Sequence, residues 1–195
     1  MNDMIGLLKE KGAILEGHFL LTSGRHSDKY IEKFRIIEDP ELLDMVSLSM
    51  ADMFKDKAID IVLSAAIGGI LLCGAVGRAL NRKHIFTERV DGKMVLRRGF
   101  DIKPNARVLI VEDVITTGKS SLECVKLIKK SKAKISGFAC LIDRSSKLSL
   151  KIKKHKIISQ VKLDVPTYKK NNLPTYLKKI PITKPGSRFL KWVLD

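Results

Sequence analysis

Apolar positions in this chain follow two rhythms. Short strand candidates occur at residues 59–63, 83–86, 107–111 and 135–142, the first, third and fourth of them rich in apolar residues. Between them, residues 69–80 and 120–131 space their apolar positions as a helix does. A further helix is predicted from Asp39 to about Phe54, with Leu42, Leu43, Val46 and Met50 on one face. Asp39-Pro40-Glu41 opens it, with Asp as N-cap and Pro at the first helical position. Regular exchange of strand and helix predicts a parallel sheet, and residues 157–159 are a candidate edge strand. A short helix within residues 1–11 turns Ile5, Leu7 and Leu8 inward. Phe19-Leu20-Leu21 and Tyr30-Ile31 are short strand candidates around a polar loop at residues 22–29. Residues 160–195 hold four prolines and few periodic apolar positions, so they are predicted to wrap the domain.

Composition narrows the class. A chain of 195 residues with 45% hydrophobic and 30% charged residues suits one soluble globular domain. The longest uncharged stretch, residues 61–77, is interrupted by glycines and is shorter than the ~20 apolar residues a spanning helix needs. The first eleven residues are amphipathic and carry both signs of charge, unlike a signal peptide. Cys73, Cys124 and Cys140 are widely spaced and odd in number, which predicts neither a disulfide framework nor a metal site, and a cytoplasmic location is expected. The net charge of +16 invites a nucleic-acid reading, but Lys supplies 27 of the 37 basic residues. Lys126, Lys129, Lys130 and Lys132 would cover the outer face of one helix, with a further lysine run at residues 147–156. We read these as solvated faces rather than an RNA or DNA surface, and as a field that attracts anions.

The segment Val111-Glu112-Asp113-Val114-Ile115-Thr116-Thr117-Gly118-Lys119-Ser120 carries the chemistry. It follows the buried run Val108-Leu109-Ile110 and leads into a helix. The order is strand, two adjacent carboxylates, a Thr-Thr-Gly loop, helix. Backbone N–H groups and hydroxyls at a helix N-terminus suit a phosphate. Carboxylates accept hydrogen bonds from sugar hydroxyls. An ordinary βα turn needs one capping residue, not two carboxylates. A P-loop would place Gly where Asp113 stands. Phosphate on one side and a sugar diol on the other describe a ribose 5-phosphate site, with an acidic βα turn as the alternative.

This run resembles the phosphoribosyl pyrophosphate (PRPP) signature of the type I phosphoribosyltransferases. The resemblance implies an α/β fold: a mostly parallel central sheet flanked by helices, with a small hood built from both termini. On one domain of residues 1–195, the hood would take about 1–38 and 160–195, and the core about 39–159. Glu112 and Asp113 would meet ribose hydroxyls, and Val114, Ile115, Thr116, Thr117, Gly118, Lys119 and Ser120 would cradle PRPP. Asp113 is also counted among the catalytic groups, and Mg²⁺ is expected on substrate oxygens without dedicated protein ligands.

Other segments extend the match. Ser64-Ala65-Ala66-Ile67-Gly68-Gly69 follows a strand and opens a helix; the family holds pyrophosphate here, which assigns Ala66, Ile67 and Gly68, although the family's usual Gly-Pro-Ala is Ser64-Ala65-Ala66 in this chain. Residues 86–99 form a basic hairpin turned by Asp91-Gly92, and Lys93 and Arg89 are the candidate cations for pyrophosphate. Asp143-Arg144 ends a strand, and Arg144 with Thr116 would read the base. Ser23-Gly24-Arg25-His26-Ser27 resembles the N-terminal motif of the orotate phosphoribosyltransferases, with Thr22 where many members carry Lys. His26 is read as a loop histidine and not a base, since orotate is already an anion. Lys184-Pro185-Gly186-Ser187-Arg188 resembles a bacterial subgroup. The resemblance therefore implies PRPP and orotate as substrates and a homodimer sharing the basic loop. A purine-base transferase and a non-enzymatic PRPP sensor binding nucleic acid are the rival readings.

Overall fold

The computed structural model describes residues 3–145 and 157–185. The lysine run at 147–156 and the Gly186-Ser187-Arg188 part of the C-terminal motif lie outside the described residues. Chain contacts divide the protein into two compact units, Met1–Arg35 with Asp164–Asp195, and Ile36–Leu163. In chain order the elements are α1 (Met4–Glu10), β1 (Ile14–Leu20), β2 (His26–Ile31), α2 (Phe34–Ile37), α3 (Pro40–Asp52), β3 (Ile61–Ala65), α4 (Ile70–Ala79), β4 (Lys83–Val90), β5 (Lys93–Leu96), β6 (Arg107–Ile115), α5 (Lys119–Lys130), β7 (Lys134–Asp143), β8 (Ile157–Lys162), β9 (Thr167–Tyr168), α6 (Thr175–Lys178) and β10 (Ile182–Thr183).

The larger unit is a six-stranded sheet of order β5-β4-β3-β6-β7-β8. All neighbours run parallel except β5, which returns antiparallel beside β4. The predicted mostly parallel sheet is therefore present. Its strands are apolar because both faces are covered. On one face Leu63, Ile110 and Phe138 pack against Cys124, Val125 and Ile128 of α5. Asp39 caps α3 by accepting from the Leu42 N–H at 3.0 Å, as the Asp-Pro signal predicts. Asp60 takes the Arg107 guanidinium through both carboxylate oxygens, at 2.6 and 2.8 Å, which fixes β3 beside β6 at their starts. That guanidinium holds the Asp60 carboxyl well below the usual range.

The smaller unit is a four-stranded sheet of order β10-β1-β2-β9. Here the sequence expectations need correction. The strand expected at residues 19–21 begins at Ile14, and the one expected at 30–31 begins at His26. The polar loop shrinks to residues 21–25, because the antiparallel pairing of β1 with β2 continues to Leu20↔His26. His26 is thus a strand residue, not a loop residue. It is 3% exposed, and its Nδ1 lies 2.7 Å from Nε2 of His18, which is equally buried. The tail expected to wrap instead contributes the edge strands β9 and β10. Ile5, expected inward, is 37% exposed, because α1 buries only the Leu8 side of its short amphipathic face.

Candidate active site

The candidate residues gather at the carboxyl ends of β3, β4, β6 and β7, where open α/β sheets take their ligands. The central piece is the turn from β6 into α5. The sequence places the two carboxylates after the strand; the structure keeps them inside it. The ladder with β7 runs on through Glu112↔Cys140, Val114↔Ile142 and Ile115↔Asp143, so β6 is longer than its apolar run. Alternation along a strand then turns Glu112 and Asp113 to opposite faces of the sheet. Glu112 lies on the α5 side and accepts from the Ser121 hydroxyl at 2.9 Å. Asp113 accepts from the Val114 N–H at 2.7 Å.

Gly118 is the N-cap of α5 and has φ 67°, a left-handed conformation that glycine adopts without strain. This lets the chain turn sharply into the helix. A cleft of about 70 Å³ is lined by Glu112, Val114, Ile115 and residues 116–121. Thr116, Thr117 and Lys119 are exposed at its rim, while Gly118 is buried. The cleft joins an electropositive helix start with a buried carboxylate, which fits a phosphorylated sugar.

The loop after β3 flanks the neighbouring strand end. Ala66 donates its N–H to the Thr87 carbonyl on β4 at 2.8 Å, and the Ala66-Ile67 peptide is cis. Ile67 is exposed and Gly68 buried. Gly69 fits closely: an added Cβ would stand 3.1 Å from Ser64 Cβ.

The basic hairpin is β4–β5. Asp91 and Gly92 have φ 48° and 76°, the paired left-handed geometry of a tight hairpin turn. Lys93 is exposed at the start of β5. Arg89 donates to the Gly92 carbonyl at 2.6 Å and pairs with Glu123 of α5, whose carboxyl it holds below the ordinary value. The pair ties the hairpin to α5, the helix that follows the Thr116–Thr117–Gly118 turn. Arg98 pairs with Glu88 across the same hairpin at 2.8 Å.

Arg144 follows β7 directly, and its N–H donates to the Ile115 carbonyl at 2.8 Å, which sets it beside the end of β6. Asp143 accepts from both the N–H and the hydroxyl of Ser145, at 2.8 and 2.6 Å. The three cysteines are free and buried. Burial pushes the thiols of Cys73 and Cys124 up to about 12, so they are poor nucleophiles.

Two residues here escape a motif reading, Ser121 and Glu123. Ser121 left a signal: it occupies the inward stripe of α5 with Cys124, Val125 and Ile128, where an apolar residue is expected. Glu123 left none, because its partner lies 34 positions away.

Comparison with known proteins fits this geometry. The phosphoribosyl transferase domain family matches residues 47–178. The chain is 42% identical over 186 residues, 95% of each chain, to orotate phosphoribosyltransferase of Chlorobium phaeobacteroides. The chain belongs to the orotate phosphoribosyltransferase family. Among solved structures, orotate phosphoribosyltransferase from Aeropyrum pernix superposes with TM-score 0.68 at 24% identity, covering 81% of this chain and 92% of that one. UMP synthase of Leishmania donovani also gives 0.68, at 20% identity, covering 83% of this chain; this chain spans 37% of that longer protein. These two likenesses concern the fold, which is the type I transferase architecture that the sequence resemblance implies.

Proposed function

We infer that this protein transfers the 5-phosphoribosyl group from PRPP to orotate, giving orotidine 5′-monophosphate and pyrophosphate, in pyrimidine biosynthesis. The family relationship supports the reaction. The observation that carries it to a site is the β6–α5 turn, where a left-handed Gly118, exposed threonines and the buried Glu112 line one cleft. A phosphate settles on the main-chain amides of residues 116–120, with Lys119 as an added cation. Glu112, on the cleft side of β6, receives ribose hydroxyls; Asp113, turned to the opposite face, departs from the sequence expectation that both carboxylates meet the sugar, and is kept as a candidate catalytic group. Ala66, Ile67 and Gly68 hold pyrophosphate, and Lys93 and Arg89 cover it. Arg144 and Thr116 read orotate, the guanidinium offering two parallel donors to a planar carboxylate.

Breaking the anomeric bond builds positive charge on the ribose, as in glycoside chemistry. The protein's work is then to align the reactants, balance charge on the leaving group and exclude water. Pyrophosphate and ribose oxygens are hard donors that suit Mg²⁺, so the ion would travel on the substrate without dedicated protein ligands. Bound there, Mg²⁺ would neutralise charge on the departing pyrophosphate. We further propose a homodimer in which the basic hairpin serves the neighbouring subunit, and a cytoplasmic enzyme; among the described residues no helix is long and apolar enough to cross a membrane.

The direct test is spectrophotometric. Orotate should be consumed only when PRPP and Mg²⁺ are both present, with release of pyrophosphate, and excess chelator should stop it. Turnover of adenine or guanine in place of orotate would overturn the assignment, as would heatless titration with PRPP.

A further inference from the structure

We propose that Ser121 is a positioning residue for the sugar donor: its buried hydroxyl holds the Glu112 carboxylate, at the base of the cleft before α5, in the rotamer that receives ribose hydroxyls. The proposal deepens the function given above and rests on Glu112 meeting the ribose.

Four observations carry it. Ser121 is 1% exposed and Glu112 6%, and they meet at 2.9 Å, a good distance for a hydroxyl donating to a carboxylate. A serine in a helix commonly bonds back to its own backbone. This one reaches a strand residue nine positions earlier instead. Both residues line the same cleft as the Thr116–Thr117–Gly118 loop. Finally, the inward stripe of α5 at this position packs among Cys124, Val125 and Ile128, so packing alone calls for no hydroxyl. A buried carboxylate, by contrast, requires donors, because an unsatisfied charge in a low-dielectric interior is costly. One helix therefore supplies the phosphate site from its first amides and the orientation of a sugar ligand from its third residue.

Several titratable groups surround Glu112. Cys73 on α4, Cys124 on α5 and Cys140 on β7 all feel its charge, and burial keeps their thiols neutral across the working pH range. Asp113 faces the other side of the sheet, and Glu123 is engaged by Arg89. Lys119 stands at the start of the same helix.

The test is steady-state kinetics and a pH profile on the intact protein. Ser121→Ala should raise the KM for PRPP about tenfold, the equivalent of one lost hydrogen bond to a charged group, and leave kcat within about twofold. The acid limb of kcat/KM for PRPP should move to higher pH, because a carboxylate deprived of a donor protonates more readily. Ser121→Cys keeps the volume but donates poorly, so it should behave like the alanine variant and carries the test should that variant fold badly. Ser121→Thr should restore both values. Wild-type KM and an unmoved acid limb in Ser121→Ala or Ser121→Cys, whatever happens to melting, would overturn the proposal. Glu112→Gln separates the two levels. If it raises the KM while the Ser121 variants do not, only the positioning role falls. If it leaves the KM unchanged, the ribose assignment falls and takes the proposal with it.

Discussion

Arg144 is the residue to which the proposed function gives base selection. Its main chain is locked to Ile115, so the guanidinium starts from a fixed point beside the phosphate loop. Arg144→Ala should raise the KM for orotate by at least tenfold and leave that for PRPP nearly unchanged, since a charge-assisted pair is worth about 1.5–3 kcal/mol. Initial-rate kinetics at fixed PRPP check this. His26 gives a second prediction. The Ile180 carbonyl lies 3.0 Å from His18 Nδ1, and a carbonyl only accepts, so His18 donates there and its Nε2 accepts from His26 Nδ1–H. Burial first, then the neighbouring His18 and Lys170, lower the His26 pKa from 6.5. The unfolded chain therefore takes up this proton more readily than the folded one. Stability tied to neutral His26 is complete above 6.5 and is lost as pH falls through the lower folded value. Melting temperature should drop across that window, and His26→Gln should flatten the slope.

At the scale of elements, the β6–α5 turn depends on one left-handed residue. Gly118→Ala puts a side chain at φ 67°, which costs about 1–2 kcal/mol and disturbs the amides to which the proposed function gives the phosphate. The KM for PRPP should rise and the melting temperature fall together. A second glycine serves packing alone. A Cβ on Gly137 of β7 would meet Phe54 Cε1 at 2.6 Å, and Phe54 is fully buried. Gly137→Ala should destabilise by about 1–3 kcal/mol, read by denaturant unfolding, with substrate KM values unchanged in the folded fraction. The element boundaries that the apolar pattern missed have one cause. β6 and β2 both run past their apolar cores because a neighbouring strand continues the ladder, at Ile115↔Asp143 and at Leu20↔His26. Pairing across a sheet is invisible to a local pattern.

For the whole molecule, the expected assembly is a dimer sharing the β4–β5 hairpin. Sedimentation should give about twice the 21.9 kDa chain mass. Mixing the individually inactive Lys93→Ala and Asp113→Asn variants should restore activity if the hairpin acts on its neighbour, because one of the two sites is then assembled from intact parts. Persistent inactivity of a proven mixed dimer would assign the hairpin to its own subunit.

Regular exchange of apolar strands and helices was enough to determine the sheet class, and the order of strand, carboxylates, Thr-Thr-Gly and helix the turn from β6 into α5, because both depend on residues close together in the chain. The Asp39 cap and the Asp91-Gly92 turn were legible for the same reason. Tertiary structure alone decided that Glu112 and Asp113 face opposite ways, that Ser121 holds Glu112, that Arg89 rests on Glu123, and that two histidines share a buried hydrogen bond. Three of these are contacts between side chains on different elements, and the fourth depends on a ladder that outlasts its apolar run, so their partners come together only once the sheets have formed.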